Sequence, residues 1–133
     1  MTIGGSCLCG AVSFEIAGEF DRFFICHCKY CQKDTGSAHA ANLFTTASSL
    51  RWLSGHEKVI DFNLETTRHV KSFCSCCGSA LPNTKMGGDI CVVPAGCLDD
   101  PVPIKPQAHI FTNSKASWEK ELQSITSFPD FPK

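Results

Sequence analysis

"CLCG" at Cys7–Gly10 and "CSCCG" at Cys74–Gly78 are the stretches whose reading decides the fold. Each carries a close pair of cysteines, Cys7 with Cys9 and Cys74 with Cys77, and each is closed by a glycine, Gly10 or Gly78. A structural zinc takes four ligands tetrahedrally and is commonly built from two such turns brought together by the fold. The glycine suits this purpose: without a β-carbon the chain turns tightly, and backbone N–H groups can face the sulfurs. Cys7, Cys9, Cys74 and Cys77 are therefore expected to hold one zinc that staples the N-terminal strand to the middle of the chain. Such sites have apparent binding energies of roughly 10–16 kcal/mol, much of it folding energy. Cys76, between two of these ligands, should point away from their metal.

A third cluster is different in kind. In "CHCKYC", Cys26, Cys28 and Cys31 place three sulfurs within six residues, with no fourth cysteine beside them. A zinc bound there has an open or exchangeable fourth position, which marks catalytic rather than structural sites. Cys76, Cys91, Cys97 and the five histidines are the remaining candidates for a fourth ligand, and any of them would make the site closed and structural. Cys91 in "ICVV" and Cys97 in "AGCLDD" read as small buried hydrophobes instead. Three thiolates around one divalent cation leave a formal charge of −1, so such a centre acidifies water weakly and hydrolysis is disfavoured. It suits a thiol substrate, bound as a thiolate and directed at an electrophilic carbon such as an aldehyde carbonyl.

Composition narrows the alternatives. The chain has 133 residues, enough for one domain with a real core, and residues 1–133 are expected to form one. Twelve basic residues against 13 acidic ones, scattered along the chain, leave no electrostatic footprint for nucleic acid. No stretch approaches the roughly 18 apolar residues of a membrane helix, and the N-terminus lacks signal-peptide character. A cytoplasmic protein with no membrane partner is the expectation, and a reducing cytosol keeps its ten cysteines available to metals. Oligomeric state has no signature in the sequence.

The secondary-structure signals are mostly those of strands. In "VSFEI", Val12, Phe14 and Ile16 alternate with Ser13 and Glu15, the period-two pattern of a half-buried strand. Apolar runs "FFI", "ANLF", "VIDF" and "ICVV" follow, separated by the turn-forming clusters "AGEFD", "LSGHE", "KMGGD" and "LDDPVP". Only "KYCQKDTGS" and "SKASWEKEL" read as helical, the second with Ser114 or Ser117 as its N-cap. The tail "SFPDFPK" reads as a surface strap, and Trp118 as a core anchor for the C-terminal segment. The expected class is mainly β: a small zinc-stapled domain with short helices.

Five blocks, "GSCLCGAVSFE", "CHCKYCQKDTGS", "FCSCCGSAL", "GCLDDP" and "HIFTNSKASW", stand in an order that resembles the glutathione-dependent formaldehyde-activating enzyme family, related also to centromere protein V. The resemblance spans nearly the whole chain. It implies a β-tent fold with a structural zinc on Cys7, Cys9, Cys74 and Cys77 and a catalytic zinc on Cys26, Cys28 and Cys31, two per chain. It also implies a carbon–sulfur lyase of the S-(hydroxymethyl)glutathione synthase type, joining glutathione or a similar thiol to formaldehyde or another small aldehyde, or running in reverse. A non-catalytic zinc-binding scaffold or protein-interaction module of the same fold is the alternative. Glutathione carries two carboxylates, for which Lys29, Lys33, Arg68, Lys71 and Lys115 are candidate partners. For proton transfer, His27, His39 and His109 are the histidines to consider, each with a structural hydrogen-bonding role as the competing reading.

Overall fold

The computed structural model describes residues 2–132. Three small sheets carry the chain. In the first, β1 (Thr2–Ser6), β2 (Ser13–Ala17) and β5 (Leu50–Ser54) run antiparallel in the order β1-β2-β5. The second has the order β10-β3-β4-β9, formed by β3 (Arg22–Cys26), β4 (Ala40–Thr45), β9 (Cys91–Pro94) and β10 (Ala108–Ile110), with β10 parallel to β3. The third joins β6 (Val59–Asn63), β7 (Val70–Cys74) and β8 (Ala80–Leu81). The expected mainly β class with short helices is what the chain adopts, and no described helix is long and apolar enough to cross a membrane.

Alternation explains the core. Val12, Phe14 and Ile16 are all fully buried, and Leu43 of β4, Leu81 of β8 and Val93 of β9 meet them from the other sheets. Burying side chains of this size is worth roughly 1.5–3 kcal/mol each. Cys91 and Cys97 belong to the same core, as their apolar surroundings in sequence implied. β1 carries no comparable signal because its inward positions are Ile3 and Gly5. Gly5 pairs with Phe14, and a β-carbon there would lie 2.2 Å from the Phe14 ring and 2.7 Å from the Cys97 carbonyl. The aromatic ring takes the space that a side chain on β1 would fill.

Among the described residues the one α-helix, α1 (Lys29–Thr35), follows closely on β3. Cys28 is its N-cap, its Sγ accepting from the Cys31 N–H at 3.3 Å, and Gly36 ends it in a left-handed conformation. "SKASWEKEL" behaves otherwise. It forms no α-helix: Thr112–Ser114 and Leu122–Ser124 are single 3-10 turns, and neither Ser114 nor Ser117 caps a helix. Trp118, expected in the core, is 62 % exposed, while its neighbour Glu119 is buried. A nine-residue helix has little stability of its own, and the carboxylate of Glu119 is drawn inward to His27 and His39, which sets the local path of the chain. The tail residues 127–132 are exposed and irregular, and Lys133 of the expected strap lies outside the described residues.

Candidate functional site

The two glycine-closed turns come together as their spacing implied. Ligand atoms of Cys7, Cys9, Cys74 and Cys77 lie within 4.8 Å of one another. The Cys7–Cys9 and Cys9–Cys74 sulfurs are 3.6 and 3.9 Å apart, against the roughly 3.8 Å edge of a tetrahedron with Zn–S of about 2.3 Å. Gly10 and Gly78 have φ of 80° and 75°, so both turns need the left-handed conformation that glycine accepts without strain. Backbone donors face the sulfurs: the Val12 N–H reaches Cys7 Sγ and the Cys76 N–H reaches Cys74 Sγ, each at 3.3 Å. Hydrogen bonding from the Ser79 backbone holds the Cys77 thiol down at about 6, in reach of the thiolate form that a metal requires. The donor set and its spacing fit zinc. Cys76 is exposed and stands outside the group.

Cys26, Cys28 and Cys31 form a second group. Cys26 ends β3, Cys28 caps α1 and Cys31 lies in its first turn, so one strand-to-helix junction positions all three. Burial pushes the Cys26 and Cys31 thiols up, so a thiolate there needs a cation beside it. Three sulfurs at chelating distance fit zinc with one position left over, and among the described residues no fourth ligand joins them. All three line a cavity of about 510 Å³ between the second and third sheets, walled by Phe24, Phe44, Val70, Leu81 and Val92. Arg68 and Lys71 stand on the same wall. Lys71 donates to the Asp34 carbonyl at 2.6 Å and lies 3.4 Å from its carboxylate, while Arg68 reaches the Met86 carbonyl at 3.4 Å.

The family description "Glutathione-dependent formaldehyde-activating enzyme" matches residues 2–114. The chain belongs to that family. A protein of Halomonas elongata, provisionally named a glutathione-dependent formaldehyde-activating enzyme, is 32 % identical across 98 % of this chain and 90 % of its own. In fold, the chain is similar to the crystal structure of a Rhodobacter sphaeroides protein, with a TM-score of 0.64 at 22 % identity, covering 80 % of this chain and 99 % of that one.

In this family member the charged candidates separate. Arg68 and Lys71 face the cavity; Lys29, Lys33 and Lys115 are not part of its lining. The histidines separate as well. His39 lines the cavity, whereas His27 is fully buried and shares a hydrogen bond of 2.8 Å between its Nε2 and His109 Nδ1. Burial pushes the His27 imidazole below its ordinary value. Sequence reasoning missed Glu119, which comes within 3.1 Å of His27 Nδ1 and 3.4 Å of His39 Nδ1. No sequence signal marked it, because Trp118 read as the core anchor of that segment and its acidic neighbour as a solvent-facing charge.

Proposed function

We propose that this chain catalyses the addition of a thiol, glutathione or a close analogue, to formaldehyde or another small aldehyde, with Cys26, Cys28 and Cys31 as the ligands of a catalytic zinc. The observation that carries this reading is the placement of three chelating thiols on the wall of a cavity that also presents two cations. Membership of the family supports the choice of substrates. A zinc on these sulfurs supplies a coordination position at which an incoming thiol is held as its thiolate.

The rest of the chemistry belongs to the chain. Arg68 and Lys71 are placed to bind the carboxylates of a peptide thiol, and Arg68 is the stronger candidate because Asp34 already engages Lys71. The largely apolar walls offer few partners to ordered water beside the aldehyde, which favours attack by sulfur over hydration. In the reaction a sulfur–carbon bond forms, the carbonyl π bond breaks, and the proton lost from sulfur ends on oxygen. No oxidant or reductant is required.

Cys7, Cys9, Cys74 and Cys77 hold the second, structural zinc in this proposal. The test compares formaldehyde consumption with glutathione by the parent and by Cys28→Ser, together with zinc per chain. The variant should lose one zinc relative to the parent and all acceleration over the spontaneous reaction. A parent no faster than the buffer control removes the catalytic reading and leaves the scaffold alternative.

A further inference from the structure

His27, His39 and Glu119 form a third convergent group, with ligand atoms within 4.8 Å of one another. They come from three separate parts of the chain: the end of β3, the loop between α1 and β4, and the C-terminal segment. His27 is completely buried, Glu119 is 8 % exposed, and the facing atoms of all three are shielded from solvent.

The bonding around these atoms is incomplete. His27 Nδ1 lies 3.1 Å from Glu119 Oε2, and His39 Nδ1 lies 3.4 Å from Glu119 Oε1. Despite these distances, His27 Nδ1, His39 Nδ1 and Glu119 Oε2 have no hydrogen-bond partner, and they make up the whole set of such buried side-chain atoms among the described residues. Native proteins rarely leave buried polar atoms unpaired. Three of them facing one another, one a carboxylate oxygen, is a costly arrangement that a shared cation removes.

Spacing and chemistry point to the same cation. Ligands about 2.0–2.1 Å from a zinc stand roughly 3.3 Å apart; here each oxygen of the Glu119 carboxylate faces one imidazole at a similar separation, Oε2 3.1 Å from His27 Nδ1 and Oε1 3.4 Å from His39 Nδ1, and one ligand atom from each of the three residues lies within 4.8 Å of the others. Two imidazoles and a carboxylate are an established zinc donor set. The outer contact is also in place: His27 uses its remaining ring nitrogen on His109, the kind of partner that fixes the tautomer and orientation of a ligating histidine. We propose that His27, His39 and Glu119 bind a third divalent ion of the zinc type, chemically separate from both cysteine groups. Through Glu119 it ties the C-terminal segment to the β3–α1 junction. Glu119 lies beyond residues 2–114, the part of the chain that the family description matches.

The test is zinc stoichiometry at saturation for the full chain and for Glu119→Gln and His39→Gln, paired with cadmium NMR of the cadmium-substituted parent. The expected result is one ion fewer in each variant than in the parent, with the sulfur-bound ions unchanged. The parent should also show a cadmium resonance in the nitrogen–oxygen range besides those of sulfur sites. Equal stoichiometry in parent and variants overturns the third site, as does a parent spectrum holding sulfur-range resonances alone. The spectrum decides the matter if neither variant folds. Because the Cys26–Cys28–Cys31 group and the four-cysteine clamp give their own sulfur-range resonances, loss of the third site leaves the thiol–aldehyde reading standing.

Discussion

The four-cysteine clamp and the three-cysteine group gather the same residue type in opposite settings. In the clamp, Cys9 and Cys74 are 65 positions apart, and the length-dependent part of closing such a loop costs roughly 4 kcal/mol. In the triplet, the outer cysteines are five positions apart, and the corresponding cost is roughly 1 kcal/mol. A metal in the clamp therefore does work on the fold that a metal in the triplet does not. The strand-to-helix junction that carries Cys26, Cys28 and Cys31 is built by β3 pairing and by the caps of α1, so its metal position is free to face a cavity.

The largest effect is expected at the clamp. Cys74→Ser should abolish the cooperative thermal transition, because loss of a binding energy of roughly 10–16 kcal/mol exceeds or matches the roughly 5–15 kcal/mol stability of a typical domain. A variant that melts like the parent would show that the clamp is not the staple. Gly5→Ala probes the strand leading into it: the new methyl meets the Phe14 ring and the Cys97 carbonyl, and overpacking of this kind should cost about 3 kcal/mol in denaturant unfolding.

At the triplet the contrast should be strong for activity and weak for stability. Cys28→Ser removes one sulfur ligand but leaves a good N-cap, so its unfolding free energy should stay within about 1 kcal/mol of the parent while the metal is lost. A collapse of the fold would place the triplet beside the clamp as a second staple. The smallest expected effect concerns cysteines outside both groups. Burial pushes the Cys91 and Cys97 thiols up to about 12, so the reactive thiolate is scarce below that value and native protein at pH 8 should leave both unalkylated. Exposed Cys76 should react first, as peptide mapping by mass spectrometry would report.

Legibility in the sequence followed the range of the physics involved. β2 was readable because Val12, Phe14 and Ile16 alternate on one face. β1 was not, because Gly5 yields its space to Phe14, a neighbour known only once the strands pair. β7 hid for a related reason: its inward Ser72 is polar, and it is buried by a hydrogen bond to Asp61 that no periodicity announces. The helix expected around Trp118 failed because its polar and apolar residues exchange places, with Trp118 outward and Glu119 inward.

By itself the sequence determined the close cysteine pairs, the triplet and the closing glycines, since these are local properties of a few residues; that the pair Cys7 and Cys9 meets the pair Cys74 and Cys77 was decided by the fold. It also located α1 within "KYCQKDTGS", and the structure supplied Cys28 and Gly36 as its caps. Only the tertiary structure decided that the triplet opens onto a cavity made by strands of two sheets, that Arg68 and Lys71 share it, and that Glu119 meets His27 and His39. Those are meetings of side chains from distant segments, and their register depends on strand pairing and on the irregular path of the C-terminal segment, for which sequence periodicity has no counterpart.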